Sequence, residues 1–210
     1  MRGHNRTCAS GTVTWVDAHI SKNPKKMQAG YLPENLLYLY WSLNKKYSTL
    51  PDIPGYRGRN EFDAVVQFWI EYWKEQKLIF PEDLDPLMVK AMIAVESGFN
   101  QNAKNKKGSA GGLLQILDSA IRTLWGVPNR NGWADVTKER IHILYGDKFD
   151  PVINIAVATR LLAYKYSKIK PPFSKNAEGM IAGYNQFNPK GQKYAEKVIA
   201  LYKQARNGVP

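Results

Sequence analysis

Ala94-Val95-Glu96-Ser97-Gly98-Phe99-Asn100 sets one carboxylate at the end of an apolar stretch, with small residues directly after it. Burial disfavours the charged form of a carboxyl group, so a glutamate held among apolar side chains keeps its proton to higher pH. That is what a general acid needs to protonate the oxygen leaving group of a sugar near neutral pH. The C-terminal end of the helix that carries Glu96 opposes a negative charge there and acts in the same direction. Gln115, in Gly112-Leu113-Leu114-Gln115-Ile116, adds an amide donor and acceptor, and Tyr184 and Asn185 add a hydroxyl, a second amide and an aromatic face. These groups suit a carbohydrate, which presents hydroxyl and N-acetyl groups around an apolar ring face. Ser97 either caps its own backbone or orients Glu96 or a ligand.

These groups need a scaffold, and the rest of the chain reads as mostly α. Residues 1–30 are polar and irregular, with a short β-prone piece at 12–16. A helical pattern covers 33–47, with Leu36, Leu39, Tyr40, Leu43 and Tyr47 on one face. The breaker-rich stretch 51–58 is a loop. Phe62, Val65, Val66, Trp69, Ile70 and Trp73 then step by three and four, the spacing of one helix face. Asp85-Pro86 reads as an N-cap followed by proline at the first helical position. The helix so begun carries Glu96 at its far end, where Gly98 is free to take the left-handed conformation. A basic polar loop over 100–108 leads to an expected helix over 112–124. A long excursion over 125–146 contains a short helix near 137–144. Asp150-Pro151 repeats the cap-plus-proline start of a helix that runs to about Lys168 and is stopped by Pro171-Pro172. Two further helices are expected over 176–184 and 192–205.

The pieces quoted so far, taken in order, resemble the soluble lytic transglycosylase family, relatives of goose-type lysozyme. Glu96-Ser97-Gly98-Phe99-Asn100 is similar to that family's glutamate-serine motif, and the likeness continues through Asn102-Ala103. The stretch 108–116 is similar to its glycine-leucine-methionine-glutamine-isoleucine segment. Asp150-Pro151-Val152-Ile153-Asn154-Ile155 resembles its later helix start, and Gly183-Tyr184-Asn185 its alanine-tyrosine-asparagine motif. Lys193-Tyr194 through Leu201-Tyr202 resembles its closing helix. Together they cover residues 84–204 in family order. The chain departs from the pattern at Leu114 and Leu117, where methionines are usual, and at Asp118, where proline is. Ala158 and Leu161 replace a glycine and a tyrosine, and Gln186-Phe187-Asn188 replaces alanine-glycine. The leucine exchanges conserve apolar volume.

The resemblance implies a mainly α, lysozyme-like catalytic domain over 81–210, with an N-terminal helical extension over 1–80. It implies that Glu96 is the catalytic residue and that Ser97, Gln115, Tyr184 and Asn185 bind substrate. The substrate would be the peptidoglycan glycan strand, cut between N-acetylmuramic acid and N-acetylglucosamine. One glutamate serves as acid and then as base, because the C6 hydroxyl of the muramic residue closes onto C1. A glycosidase that uses water normally needs two carboxylates. The candidates for a second are Asp118, Asp135, Asp147 and Asp150, of which Asp150 is better read as a helix cap and Asp118 as an exposed helix residue. No cofactor is implied.

Composition narrows the alternatives. The chain has 210 residues, with 44% hydrophobic and 12% aromatic content, which supports a core and argues against disorder. No stretch approaches the roughly 18–20 apolar residues of a membrane span. The single cysteine, Cys8, excludes an intrachain disulfide and a multi-cysteine zinc site, and His4, His19 and His142 form no ligand pair, so no metal is expected. The formal charge of +12 suits polyanions, whether nucleic acid, anionic lipid or anionic wall polymers. No recognisable nucleic-acid module accompanies it, and specific nucleic-acid binding is not expected. A hydrolytic muramidase, a non-catalytic wall-binding or adaptor protein and a nucleic-acid binder stay open as other readings. Action at the periplasm or cell wall is expected. The first residues show no secretory signal. That suggests delivery by a secretion apparatus or phage particle, and an immunity protein as a further partner.

Overall fold

The computed structural model describes residues 4–7, 13–16, 38, 45–124 and 144–208. Two strands, β1 (His4–Thr7) and β2 (Val13–Val16), pair antiparallel with His4 opposite Val16 and Thr7 opposite Val13. The β-prone piece at 12–16 is therefore a strand, and its partner lies in residues that read as irregular. Six helices follow among the described residues: α1 (Asp63–Glu75), α2 (Pro86–Ser97), α3 (Asp118–Leu124), α4 (Pro151–Ser167), α5 (Ala177–Asn185) and α6 (Pro189–Arg206). The mainly helical expectation holds. None of the described helices is long and apolar enough to cross a membrane.

The helix starts follow from Asx residues before proline. The Asp85 carboxylate accepts from the Leu87 amide at 2.9 Å, and Asp150 accepts from Val152 and Ile153 at 2.8 and 3.1 Å. Asn188-Pro189 works the same way, with the Asn188 side chain accepting from the Lys190 and Gly191 amides at 2.9 and 3.2 Å. The last helix thus begins at Pro189, not at Gln192. The expected helix over 112–124 is shorter too and begins at Asp118. Gly112 (φ +78°) and Gln115 (φ +47°) are left-handed, and Gly111 pairs with Ile116 as a β-bridge around them. The expected helix over 33–47 falls mostly outside the described residues; Tyr38 is helical and Lys45–Tyr47 are not. The one near 137–144 lies outside them except for Leu144, which precedes a 3-10 turn at Tyr145–Phe149.

The long helices pack in a closed circuit: α1 on α2, α2 on α6, α6 on α5, α5 on α4, and α4 back on α1. Helix α2 is buried without interruption from Leu87 to Ala94. A helix apolar all round belongs in a core rather than on a surface. Helix α1 adds an aromatic ladder. Phe68 meets Trp69 edge-on at 4.9 Å, and Trp69 stacks on Trp73 at 5.5 Å. The Trp73 indole N–H donates to the Ala156 carbonyl and the Thr159 hydroxyl, both at 3.1 Å, which ties α1 to α4. Residues from Ile53 through Trp73 therefore share one hydrophobic core with the later helices.

One ion pair sits inside this core. Lys90 of α2 is 1% exposed and lies 3.0 Å from the Asp63 carboxylate. Its ammonium also donates to Asn60 Oδ1 at 2.8 Å and to the Leu50 carbonyl at 3.2 Å. Asp63 accepts in turn from the Leu50 amide at 2.8 Å. The segment before α1 is thereby latched to the helix that carries Glu96. Breaking such a pair leaves an uncompensated buried charge, whereas replacing both members with apolar groups is far milder. Asp63→Ala is expected to cost about 3–5 kcal/mol in denaturant unfolding, and Asp63→Leu/Lys90→Met distinctly less. A double variant as unstable as Asp63→Ala would contradict this account.

Candidate active site

Glu96 occupies the last turn of α2, two residues after the buried run ends and two before Gly98, which closes the helix in the left-handed conformation (φ +58°). Its carboxyl is half-buried and faces Tyr194 and Lys197 of α6 and Tyr184 of α5. Burial pushes the carboxyl above the usual glutamate range, and the Tyr194 hydroxyl and the Lys197 charge act against it. Burial also raises the Tyr184 and Tyr194 hydroxyls well above the ordinary tyrosine value, reinforced by the Glu96 charge. Both phenols therefore stay protonated and can only be donors when they face an anion.

The two tyrosines spend their protons differently. The Tyr184 hydroxyl donates to the Leu114 carbonyl at 2.7 Å, so it fixes the loop before Gln115 rather than bonding Glu96. The Tyr194 hydroxyl is buried beside the carboxyl and acts on it as a hydrogen-bonding neighbour. Sequence reasoning placed Tyr194 in a helix of the right kind but gave it no role. Its signal was its register: it borders the buried line of Gly191, Ala195 and Val198 on the same helix.

Gln115 lies in the bridge-closed turn, and its amide nitrogen donates to the Ala103 and Gly112 carbonyls at 3.2 and 3.0 Å. That leaves Oε1 with capacity for a ligand. Asn185 ends α5 in an exposed position next to Tyr184. The Ser97 hydroxyl donates back to the Ile93 carbonyl at 3.1 Å, which is local backbone capping. The structure thus brings Glu96, Tyr184 and, through Leu114, the Gln115 loop together, and it turns Ser97 onto its own helix. An open depression of about 530 Å³ follows the end of α2, lined by Arg59, Glu61 and Phe62 on one side and by Gly98–Gln101 on the other.

The Gln115 loop is held from α4. The fully buried Asn154 side chain accepts from the Leu114 amide at 2.9 Å and donates to the Gly111 and Lys148 carbonyls at 3.1 and 2.7 Å. A Cβ on Gly112 would come within 2.2 Å of the Asn154 amide, so only glycine fits under this clamp. Lys148, itself buried, reaches the Ser109 carbonyl and pairs with Asp118 at 2.7 Å. Asp118 is therefore a half-buried partner of Lys148 rather than a plain exposed helix residue. Asp147 accepts from the Leu144 amide at 2.8 Å, Asp150 caps α4, and Asp135 lies outside the described residues. No second carboxylate among the described residues acts on Glu96. No group of three or more His, Cys, Asp or Glu side chains that could hold a metal converges among them either.

Two predictions come from this geometry. Asn154→Ala strands three backbone groups, and about 2–4 kcal/mol of stability should be lost in denaturant unfolding; a loss under about 1 kcal/mol would mean the loop holds without the clamp. For Glu96, the folded-state pKa lies above the unfolded value. The ionised form therefore destabilises the fold, and stability present at acid pH is lost as pH rises through the raised value. Glu96→Gln should match the wild type in Tm at acid pH and exceed it at neutral and alkaline pH. A wild type that gains on the variant with rising pH would contradict the assignment.

A family model described as the transglycosylase SLT domain matches residues 72–205. The match begins inside α1 and ends inside α6, so it takes in Glu96, the Gln115 loop, Tyr184 and Tyr194. The chain belongs to the transglycosylase SLT domain family, a family of peptidoglycan lytic transglycosylases.

Proposed function

We propose that this protein cleaves the β-1,4 bond between N-acetylmuramic acid and N-acetylglucosamine and leaves 1,6-anhydro ends. The observation that carries the proposal is a single carboxyl group, Glu96, raised by burial and with no second carboxylate acting on it among the described residues. Protonated Glu96 gives its proton to the glycosidic oxygen as the bond to C1 breaks. The carboxylate so formed takes the proton of the muramic C6 hydroxyl, and that oxygen bonds to C1. No water is consumed, and Glu96 ends as it began. The acid and base steps occur in sequence, so one residue serves both.

Each neighbour has a part in that cycle. Burial favours the protonated form needed first. The Tyr194 hydroxyl and the Lys197 charge favour the carboxylate formed midway, so they steady the state between the two proton transfers. Gln115 Oε1, Asn185 and the depression next to Gly98 offer polar contacts for the sugar hydroxyl and N-acetyl groups. On this reading the protein works at the cell wall.

Mass analysis of the soluble products from purified peptidoglycan tests the reaction. Fragments lighter by one water than their hydrolytic counterparts are expected, and reducing ends would show hydrolysis instead. Glu96→Gln should lower the rate by roughly 10²–10⁴-fold, the contribution typical of a positioned acid-base group; near-wild-type activity in that variant would remove Glu96 from the mechanism. The rate should fall as pH rises through the raised Glu96 value, because the acid must start protonated. Tyr194→Phe removes a group that lowers that value, so the alkaline limb of the pH-rate profile should move upward. A downward move would contradict the role given to Tyr194.

A further inference from the structure

Helices α5 and α6 meet in a short joint, Gln186–Asn188, and between them they carry the groups that face Glu96: Tyr184 from α5, and Tyr194 and Lys197 from α6. The joint is closed on both sides. A Cβ on Gly191, in the first turn of α6, would overlap the Gln186 and Ala182 carbonyl oxygens, so α6 starts directly against the end of α5. Tyr194 follows at i+3 and lies on nearly the same side of α6 as Gly191. A Cβ on Gly183, the residue before Tyr184, would run into the Phe187 ring. That ring therefore lies against the α5 backbone itself. It meets Phe173 edge-on at 5.4 Å, and the ammonium of Lys165, a half-buried residue of α4, lies 5.8 Å from its centroid. Phe187 is a wedge between the end of α5 and the end of α4, and any change in the joint has to displace it.

We infer that Phe187 is a positioning residue for Glu96: its ring, seated on Gly183, sets how α6 leaves α5 and so holds the Tyr194 hydroxyl at the carboxyl. The inference rests on the role proposed for Glu96. A phenyl ring has no proton to give, so Phe187 acts only through the elements it separates. The bond from the Tyr184 hydroxyl to the Leu114 carbonyl fixes the end of α5 to the Gln115 loop. Helix α6 is pinned at its far end, where the Tyr202 hydroxyl donates to Asp85 at 3.1 Å. A shift of Phe187 is therefore felt in the first turns of α6, where Tyr194 and Lys197 sit. Asn188, directly after Phe187, caps that helix, so the shift passes into it as into a rigid body. Moving Tyr194 away removes support for the Glu96 carboxylate and leaves the effect of burial less opposed. Displacements of this kind, far from the reacting atoms, can cost about 10²-fold in rate for roughly 1 Å.

The test compares the wild type with Phe187→Ala, which empties the wedge, Gly183→Ala, which pushes the ring aside, and Phe187→Leu, which keeps most of its bulk. The Glu96 side-chain carbonyl is titrated by carbon-13 NMR in each folded protein, and kcat and KM are measured on soluble peptidoglycan fragments. In Phe187→Ala and Gly183→Ala the Glu96 midpoint should move upward, the direction expected of Tyr194→Phe, and kcat should fall roughly 10–100-fold with KM little changed. Phe187→Leu should stay close to the wild type in both. A Phe187→Ala protein with a lowered Tm but the wild-type midpoint and kcat would make the ring a packing contact only and overturn the inference. So would a Phe187→Leu protein as impaired as Phe187→Ala. If Phe187→Ala does not fold, Gly183→Ala decides, and a wild-type midpoint there overturns the inference. The titration needs no substrate, so a wild type that releases no fragments would overturn the proposed reaction while the midpoints still decide whether Phe187 positions the groups at Glu96.

Discussion

A helix buried all round has only its ends at which to meet solvent. In α2 the dry run from Leu87 to Ala94 leads almost directly to Glu96. The core that stabilises the fold is thus the same material that withholds water from the carboxyl. Desolvation there is a consequence of where α2 lies, enclosed by α1 and α6, and it requires no separate device. Fold and acid strength are coupled in consequence: loosening the core around the last turn of α2 would both destabilise the protein and let Glu96 ionise at lower pH.

Around that dry end the polar groups divide into two sets. One set acts on Glu96: the Tyr194 hydroxyl, kept protonated, and the Lys197 charge. They oppose burial without cancelling it, so the carboxyl stays above its usual range while its ionised form is still supported. The other set builds the wall opposite. Asn154, Lys148 and Tyr184 all bond to the backbone of the loop from Ser109 to Leu114, and none of them bonds to Glu96. Holding a loop by buried side chains of neighbouring elements fixes Gln115 in its left-handed conformation, which an isolated turn would not keep.

Much of this was legible in the sequence because it rests on local rules. Asp85-Pro86, Asp150-Pro151 and Gly98 mark helix ends through capping, and the three-four spacing from Phe62 to Trp73 marks α1. Ordered motifs around Glu96, Gln115 and Tyr184 gave the family. What escaped depends on contacts distant in the chain. The bridge between Gly111 and Ile116 converts four residues of helical appearance into a turn, and the Asn154 clamp that stabilises it lies forty residues from Leu114. The burial of Lys90 and Lys148 left no trace in the sequence either, because a lysine's partner cannot be read from its neighbours in the chain. Gln186-Phe187-Asn188 looked like a departure from the family pattern near the cleft. In the structure Asn188 caps α6 and the Phe187 ring meets Phe173 edge-on at 5.4 Å. The exchange supplies a helix start and a packing contact.

The central claim is that packing around α2 holds Glu96 as a neutral acid where a glutamate in water would already be ionised. A pH titration of the Glu96 side-chain carbonyl by carbon-13 NMR measures this directly in the folded wild-type protein. The account predicts a midpoint above the ordinary glutamate value, and a still higher one in Tyr194→Phe. A wild-type midpoint at or below the ordinary value would contradict it.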